Sequence, residues 1–346
     1  EITTRLVGSE MCIRDRNIYM EQSAVRDGVT AEEVKGILLG MASGQETLLG
    51  YFRRFIRNFE KRVGINRTVG SLRAYSNAYS HIERFLQAQY KLSDIPFSAL
   101  DRSFIDKYDL YLRTERNLAP GTIINLTVQL KTIVGEAIAD GIITASPFMG
   151  YEPMRPKHVQ KYLTAEELHR IMTTPLHRQT LYHVRDMFLF SCFTGIPYGD
   201  MRLLTKDNLC LAEDGIWWIK SARQKTKIEF EIPLLDLPLQ ILKKYSGTAP
   251  GDKLLPMYCN STLNLYLKEI ARICHIDRPL VFHAGRHTYA TEITLSHGVP
   301  LETVSRMLGH SQIETTQIYA KVTDEKIDAD TKALNRKISE RFSVVI

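Results

Sequence analysis

The chain has 346 residues, of which 44% are hydrophobic and 24% charged, a composition typical of a folded globular protein with room for two domains. No apolar stretch approaches the length of a membrane span and no signal peptide is visible, which argues against a membrane protein. The net charge of +6 agrees with a polyanionic partner. Five scattered cysteines without a Cys-x-x-Cys pair indicate neither zinc nor disulfides, so we expect a cytoplasmic protein.

The first residues of the chain are not expected to belong to the folded core. Residues 1–16 fit neither a helix nor a strand and do not begin with Met, so we interpret them as a sequencing or assembly scar. Thr30 and Glu33 form a capping-box pattern that predicts a short helix. We interpret residues 17–42 as the remnant of a further N-terminal domain with its linker.

Residues 43–151 carry apolar side chains at helical spacing in four successive stretches, which predicts a small all-helical domain. The predicted helices cover residues 48–62, 69–90, 101–114 and 120–141. Residues 152–163 form a basic stretch broken by prolines, and we interpret them as an interdomain linker.

Residues 164–322 predict a second domain that mixes helices with a small sheet. Thr164 and Glu167 form a capping box, and an apolar helix is predicted over residues 183–193. Alternating apolar residues predict three antiparallel strands, with further helices after them. These predicted strands cover 208–211, 216–222 and 228–234, and the helices cover 237–245 and 261–274. The predicted fold class is therefore mainly α, with a helical domain followed by an α/β domain and a tail helix within residues 323–346.

The most informative stretch gathers His283, Arg286, His310 and Tyr319 near the end of the second domain. The punctuation by glycine and proline predicts three short helices, of which the third begins with a capping box at Ser311 and carries Tyr319 two turns in. An Arg fork matches phosphate oxygens, an imidazole donates a hydrogen bond or carries a proton, and a phenol can attack phosphorus. Without paired carboxylates or metal-ligand spacing, this set predicts phosphoryl transfer to tyrosine with no metal or cofactor.

This motif resembles the C-terminal catalytic motif of the tyrosine recombinases, also called the phage integrase family. The resemblance rests on His283 and Arg286 in His-x-x-Arg, on His310 in Leu-Gly-His, and on Tyr319 nine residues later. It implies a site-specific DNA recombinase or integrase, of the type carried by conjugative or mobile elements. Such an enzyme cuts and rejoins double-stranded DNA through a covalent 3′-phosphotyrosyl intermediate.

The resemblance also implies a role for each residue of the motif. Tyr319 would be the nucleophile, Arg286 would neutralise charge on the phosphate, and His310 would donate to a non-bridging oxygen. His283 would act as a base or hydrogen-bond partner of Tyr319. In this family a lysine on the hairpin at residues 223–227 protonates the leaving 5′-oxygen, and Lys225 matches it, with Lys227 as a rival in the same turn. We interpret His287 as structural.

One position departs from the family pattern. The family has an arginine in a Thr-Gly-Leu-Arg context, whereas Pro197 follows Thr194, Gly195 and Ile196 here. Either the enzyme is impaired or another cation takes that place. We favour Arg223 on the basic hairpin, with Arg202 as the second candidate.

The resemblance implies a core-binding, SAM-like domain at residues 43–151, a catalytic domain at 164–322, and an arm-binding origin for residues 17–42. The two domains would clamp double-stranded DNA, with self-association into a synaptic tetramer and accessory DNA-bending proteins as further partners. The tail helix would dock on a neighbouring protomer. The residues predicted to contact DNA are Arg73, Lys131, Lys157 and Lys161. The alternatives are a type IB topoisomerase and a catalytically impaired DNA-binding relative.

Overall fold

The computed structural model describes residues 46–154, 161–319 and 324–339. The chain divides into two compact units, Glu1–His158 and Val159–Ile346, and each unit is described by itself. The predicted helix that begins near Thr30 lies outside the described residues, as does the predicted DNA contact Lys157. Within the described part of the chain, no helix is both long enough and apolar enough to cross a membrane.

The first unit is a helical bundle, as predicted. Its helices are α1 (Leu48–Glu60), α2 (Val69–Phe85), α3 (Arg102–Thr114) and α4 (Pro120–Ala139). A π-helical turn, Leu86–Tyr90, continues α2, and a 3-10 turn, Phe97–Ala99, precedes α3. Side chains from all four helices fill one core, and the largest of those with almost no exposure include Phe52, Phe85 and Tyr108.

Two helix starts in this unit are fixed by side chains that accept hydrogen bonds from free backbone N–H groups. Asp101 caps α3 by accepting from the N–H of Phe104 at 2.7 Å. The start of α1 is capped from a distance, because Asp94 accepts from the N–H groups of Leu49 at 2.8 Å and Gly50 at 3.0 Å. This tie holds α1 against the loop between α2 and α3.

The second unit has the predicted mixture of helices and a small sheet. The elements before the sheet are α5 (Ala165–Thr173), α6 (Gln179–Thr194), α7 (Tyr198–Met201) and a 3-10 turn (Lys206–Asn208). The strands are β1 (Leu209–Leu211), β2 (Trp217–Ala222) and β3 (Glu229–Pro233), paired antiparallel in that order. After them come α8 (Asp236–Lys244), α9 (Asn260–Ile273), α10 (Ala284–Thr288), α11 (Leu301–Met307), α12 (Glu314–Gln317) and α13 (Asp324–Ser339). The capping box of Thr164 and Glu167 is present.

Helix α6 runs through the centre of this unit, with buried residues on every side of it, including Cys192. Helix α10 packs closely against α6 because Gly285 has no side chain. A Cβ atom at Gly285 would lie 2.9 Å from Ser191 Oγ and 3.3 Å from the backbone nitrogen of Cys192. The neighbouring Arg286 is thereby brought to Gly195, the residue that ends α6.

The last part of the motif differs from the prediction in two ways. The first of the three predicted short helices is α10 followed by a π turn, Tyr289–Thr294, in which the Thr294 hydroxyl donates to the carbonyls of Tyr289 and Ala290. The prediction of a capping box at Ser311 is wrong, because α12 is a single turn that begins after Ile313 without a side-chain cap. Tyr319 therefore follows α12 instead of lying two turns inside a helix.

Candidate active site

A pocket of about 840 Å³ in the second unit is lined by side chains from four separate stretches of the chain. The loop before α5, the β2–β3 hairpin, α10 with the loop before it, and the segment after α11 all contribute. The lining includes Lys161, Arg223, Lys225, His283, Arg286, His287, His310 and Tyr319. All six residues predicted as catalytic, and one of those predicted to contact DNA, therefore meet in one place.

Arg286 lies at the base of this pocket and is only 3% exposed. Its Nη1 donates to the carbonyl oxygen of Gly195 at 2.9 Å, and its Nη2 donates to that of Leu308 at 2.7 Å. Burial and the nearby charge of Arg223 lower the pKa of Arg286 to about 10, while interaction with Tyr319 opposes that fall. Arg286 is thus a fixed cation at neutral pH.

Arg223 takes a position beside Arg286. Its Nη1 donates to the same Leu308 carbonyl oxygen at 2.9 Å, so the two guanidinium groups share one acceptor. Its Nε lies 2.6 Å from Asp200 Oδ2, in an ion pair whose angle is poor for a hydrogen bond. The other oxygen of Asp200 accepts from the backbone N–H of Gln224 at 2.9 Å. Asp200 thereby holds the hairpin against the turn that contains Pro197.

The rival of Arg223 does not reach the pocket. Arg202 is exposed and does not line the pocket, whereas Arg223 has only 15% of its side chain exposed. A Cβ at Gly309, which has a φ of +62°, would lie 2.8 Å from Arg223 Cγ. The glycine of the Leu-Gly-His sequence thus makes room for Arg223 next to Arg286.

His310 is oriented by two hydrogen bonds. Its Nδ1 lies 2.7 Å from the Thr316 hydroxyl, and its Nε2 lies 2.9 Å from Nη2 of Arg286. Because a guanidinium only donates, Nε2 must accept and Nδ1 must carry the proton. Burial, followed by the charges of Arg286 and Arg223, lowers the pKa of His310 to about 4. The imidazole is therefore neutral at neutral pH.

Tyr319 is 7% exposed and lies between two imidazoles. Its ring is nearly parallel to that of His310, at 9° and 6.2 Å between centroids. The ring of His287 meets it edge-on, at 68° and 5.0 Å. Tyr319 and Arg286 line the same pocket, and the phenol opposes the fall in the pKa of Arg286. The phenol therefore lies in the same pocket as the cation that the motif predicts for the phosphate.

Two lysines compete on the hairpin. Both are exposed, but Lys225 lines the pocket and Lys227 does not. Lys227 has a φ of 60° and its N–H closes the turn by donating to the carbonyl of Arg223 at 2.8 Å. The geometry thus favours Lys225 as the hairpin lysine of this pocket.

His287, which the sequence analysis interprets as structural, also lies in this pocket. It is half-buried, lines the pocket, and contacts both Tyr319 and His283, whose ring lies 4.9 Å away at 83°. The signal for it was the spacing from His283 to His287, since residues four apart share one helix face. His283 is exposed, and desolvation followed by the charges of Arg286 and Arg223 lowers its pKa.

The other predicted contacts lie outside this pocket. Arg73 on α2 and Lys131 on α4 are exposed on the first unit. Among the residues that the structure describes, no group of three or more His, Cys, Asp or Glu side chains is arranged to hold a metal ion.

Comparison with known proteins gives the same family for both units. The sequence profile of the phage integrase family matches residues 161–326, and that of the phage integrase SAM-like domain matches residues 47–153. Tyrosine recombinase XerD of Listeria monocytogenes is 25% identical over 273 residues, which cover 74% of this chain and 89% of that protein. XerD of Staphylococcus saprophyticus is 26% identical over 297 residues, 82% of this chain and 96% of its own.

Solved structures share the fold at lower identity. The Tn1549 transposon integrase in complex with transposon right end DNA is 19% identical with a TM-score of 0.64, over 84% of this chain and 99% of that one. The lambda integrase tetramer bound to a Holliday junction is 16% identical with a TM-score of 0.66, over 91% of this chain and 89% of that one. The similarity in fold therefore extends over most of both chains.

Proposed function

The chain belongs to the phage integrase family and is a tyrosine-type site-specific DNA recombinase, and we propose that Tyr319 is its nucleophile in the pocket described above. The observation that carries this proposal is that the nearly buried Tyr319 shares one pocket with Arg286, His310 and Arg223. A phenol in a pocket with fixed positive charge is suited to attack a phosphodiester.

In the proposed reaction, the Tyr319 oxygen attacks the scissile phosphorus and the bond to the 5′-oxygen breaks. The phosphate becomes a 3′-phosphotyrosyl ester, and Lys225 gives its proton to the leaving 5′-oxygen. His283 takes up the phenolic proton or holds it by a hydrogen bond. The 5′-hydroxyl of a partner strand then attacks the ester and restores a phosphodiester, with Tyr319 leaving.

Arg286 and Arg223 stabilise the charge that develops on the phosphate oxygens. Both guanidinium groups donate to the carbonyl oxygen of Leu308, and this shared acceptor holds them side by side. This arrangement supports Arg223 as the replacement for the arginine that Pro197 displaces. His310 reaches a non-bridging oxygen through Nε2 once that nitrogen exchanges Arg286 for the phosphate and carries a proton.

Binding of double-stranded DNA by both units extends the proposal to the rest of the chain. Solved relatives of this fold include integrases bound to DNA, one of them as a tetramer on a Holliday junction. We assign phosphate contacts to exposed Arg73 and Lys131 and to Lys161 at the rim of the pocket. Assembly into a synaptic tetramer, with DNA-bending proteins as helpers, completes the recombination cycle.

The described cysteines are free thiols, in keeping with action in the cytoplasm.

Covalent capture tests the proposed nucleophile. A nicked duplex that contains a target site loses a short 5′-ended fragment after cleavage, so the protein stays attached to the DNA. We expect the wild type to form the adduct and Tyr319→Phe to form none, with the modified residue mapped by mass spectrometry. Tyr289→Phe is the matched control, because Tyr289 is buried nearby without lining the pocket. An adduct on Tyr319→Phe would contradict the proposal.

A further inference from the structure

His287 lines the pocket, but the proposed reaction assigns it no role. It follows Arg286 directly on α10, which is anchored to α6 through the close approach at Gly285. The ring of His287 makes two edge-to-face contacts, one with Tyr319 at 5.0 Å and one with His283 at 4.9 Å. It therefore links a helix of fixed position to the phenol.

We propose that His287 is a positioning residue that holds the Tyr319 ring in the orientation for attack, opposite the parallel ring of His310. The inference rests on the proposed role of Tyr319 as nucleophile. Edge-to-face and stacked contacts between rings at these distances are favourable beyond simple burial. Two rings at different angles, 68° and 9°, leave the phenol little freedom to rotate.

The backbone around Tyr319 explains why its ring needs contacts on both sides. Tyr319 follows α12, a single turn of four residues, and its N–H donates to the carbonyl of Thr316 at 3.0 Å. A side chain at the end of so short an element is positioned mainly by what its ring contacts. An error of about 1 Å at a reacting atom costs roughly 100-fold in rate, so a ring contact of this kind has a large effect on attack.

The electrostatic state of His287 fits a packing role. Burial, followed by the neighbours His283, Lys161 and Arg286, lowers its pKa to about 4. It is therefore neutral at working pH and adds no charge that would compete with Arg286 for the phosphate. A neutral aromatic ring is sufficient to support the phenol.

Substitution of His287 separates positioning from binding and folding. We expect His287→Ala to slow covalent attachment to a nicked duplex by about 100-fold under single-turnover conditions, with DNA affinity unchanged. His287→Phe should recover most of the rate, because it keeps a neutral ring. His297→Ala is the control, since His297 is exposed and bonds to the Glu292 carbonyl.

A sulfur-substituted substrate distinguishes positioning from proton donation. A 5′-bridging phosphorothiolate has a leaving group that departs without a proton, so it should restore attachment by Lys225→Ala and leave His287→Ala slow. Restoration of His287→Ala, or attachment by His287→Ala at the wild-type rate, would overturn the inference. So would a folded His287→Phe as slow as His287→Ala. Failure of the wild type itself to attach would instead refute the proposed function.

Discussion

Replacing Arg223 with alanine tests whether the hairpin supplies the cation that Pro197 cannot supply. Arg223 lies beside Arg286 on the Leu308 carbonyl, with only 15% of its side chain exposed. In such a water-poor site, loss of one group that stabilises the transition state lowers the rate by about 10²–10³-fold, or about 3–4 kcal/mol. We therefore expect Arg223→Ala to slow covalent attachment by that factor.

The same substitution also affects folding, and the structure gives a way to separate the two effects. Asp200 is 6% exposed, so Arg223→Ala leaves a buried carboxylate without its cation, which typically costs about 3–5 kcal/mol of folding free energy. Asp200→Asn combined with Arg223→Ala removes both charges and keeps an oxygen for the Gln224 N–H. The double variant should regain stability in urea unfolding while its attachment remains slow.

The assay is single-turnover attachment to a nicked duplex at saturating protein, with urea unfolding of each variant in parallel. Arg202→Ala is the matched control, because Arg202 is an exposed arginine near the same turn and does not line the pocket. Attachment by folded Arg223→Ala at the wild-type rate would refute the reasoning, and so would an equal loss in Arg202→Ala.

Two further predictions concern stability. Gly285→Ala should lower the unfolding free energy by about 1–3 kcal/mol, since its Cβ would lie 2.9 Å from Ser191 Oγ. Gly135→Ala, with open space around it, should leave the unfolding free energy unchanged or raise it. An equal loss of unfolding free energy in the two variants would contradict this prediction. For the DNA-free protein, burial lowers the pKa of His310 from its ordinary value of 6.5 to about 4, so the unfolded state binds more protons between these values. Stability should therefore fall by about 1–2 kcal/mol from pH 7 to pH 5 through this group, with a shallower slope in His310→Gln.

Much of the secondary structure could be predicted because it depends on local patterns. Apolar residues at helical spacing predicted α1 to α4 within a few residues, and strand alternation predicted the sheet. The capping box at Thr164 formed because both of its partners are close in sequence. The one at Ser311 did not form, since the segment after α11 is set by the hydrogen bond from His310 to Thr316.

The amino-acid sequence by itself determined which chemical groups this recombinase has and the helices and strands that carry them, because spacing and periodicity act over a few residues. Only the tertiary structure decided how those groups meet. The choice of Arg223 over Arg202 depends on Asp200 and on the Leu308 carbonyl, which lies far from both along the chain. The place of His287 against Tyr319 depends on the packing of α10 on α6. Such contacts join residues that are distant in sequence, and no local pattern encodes them.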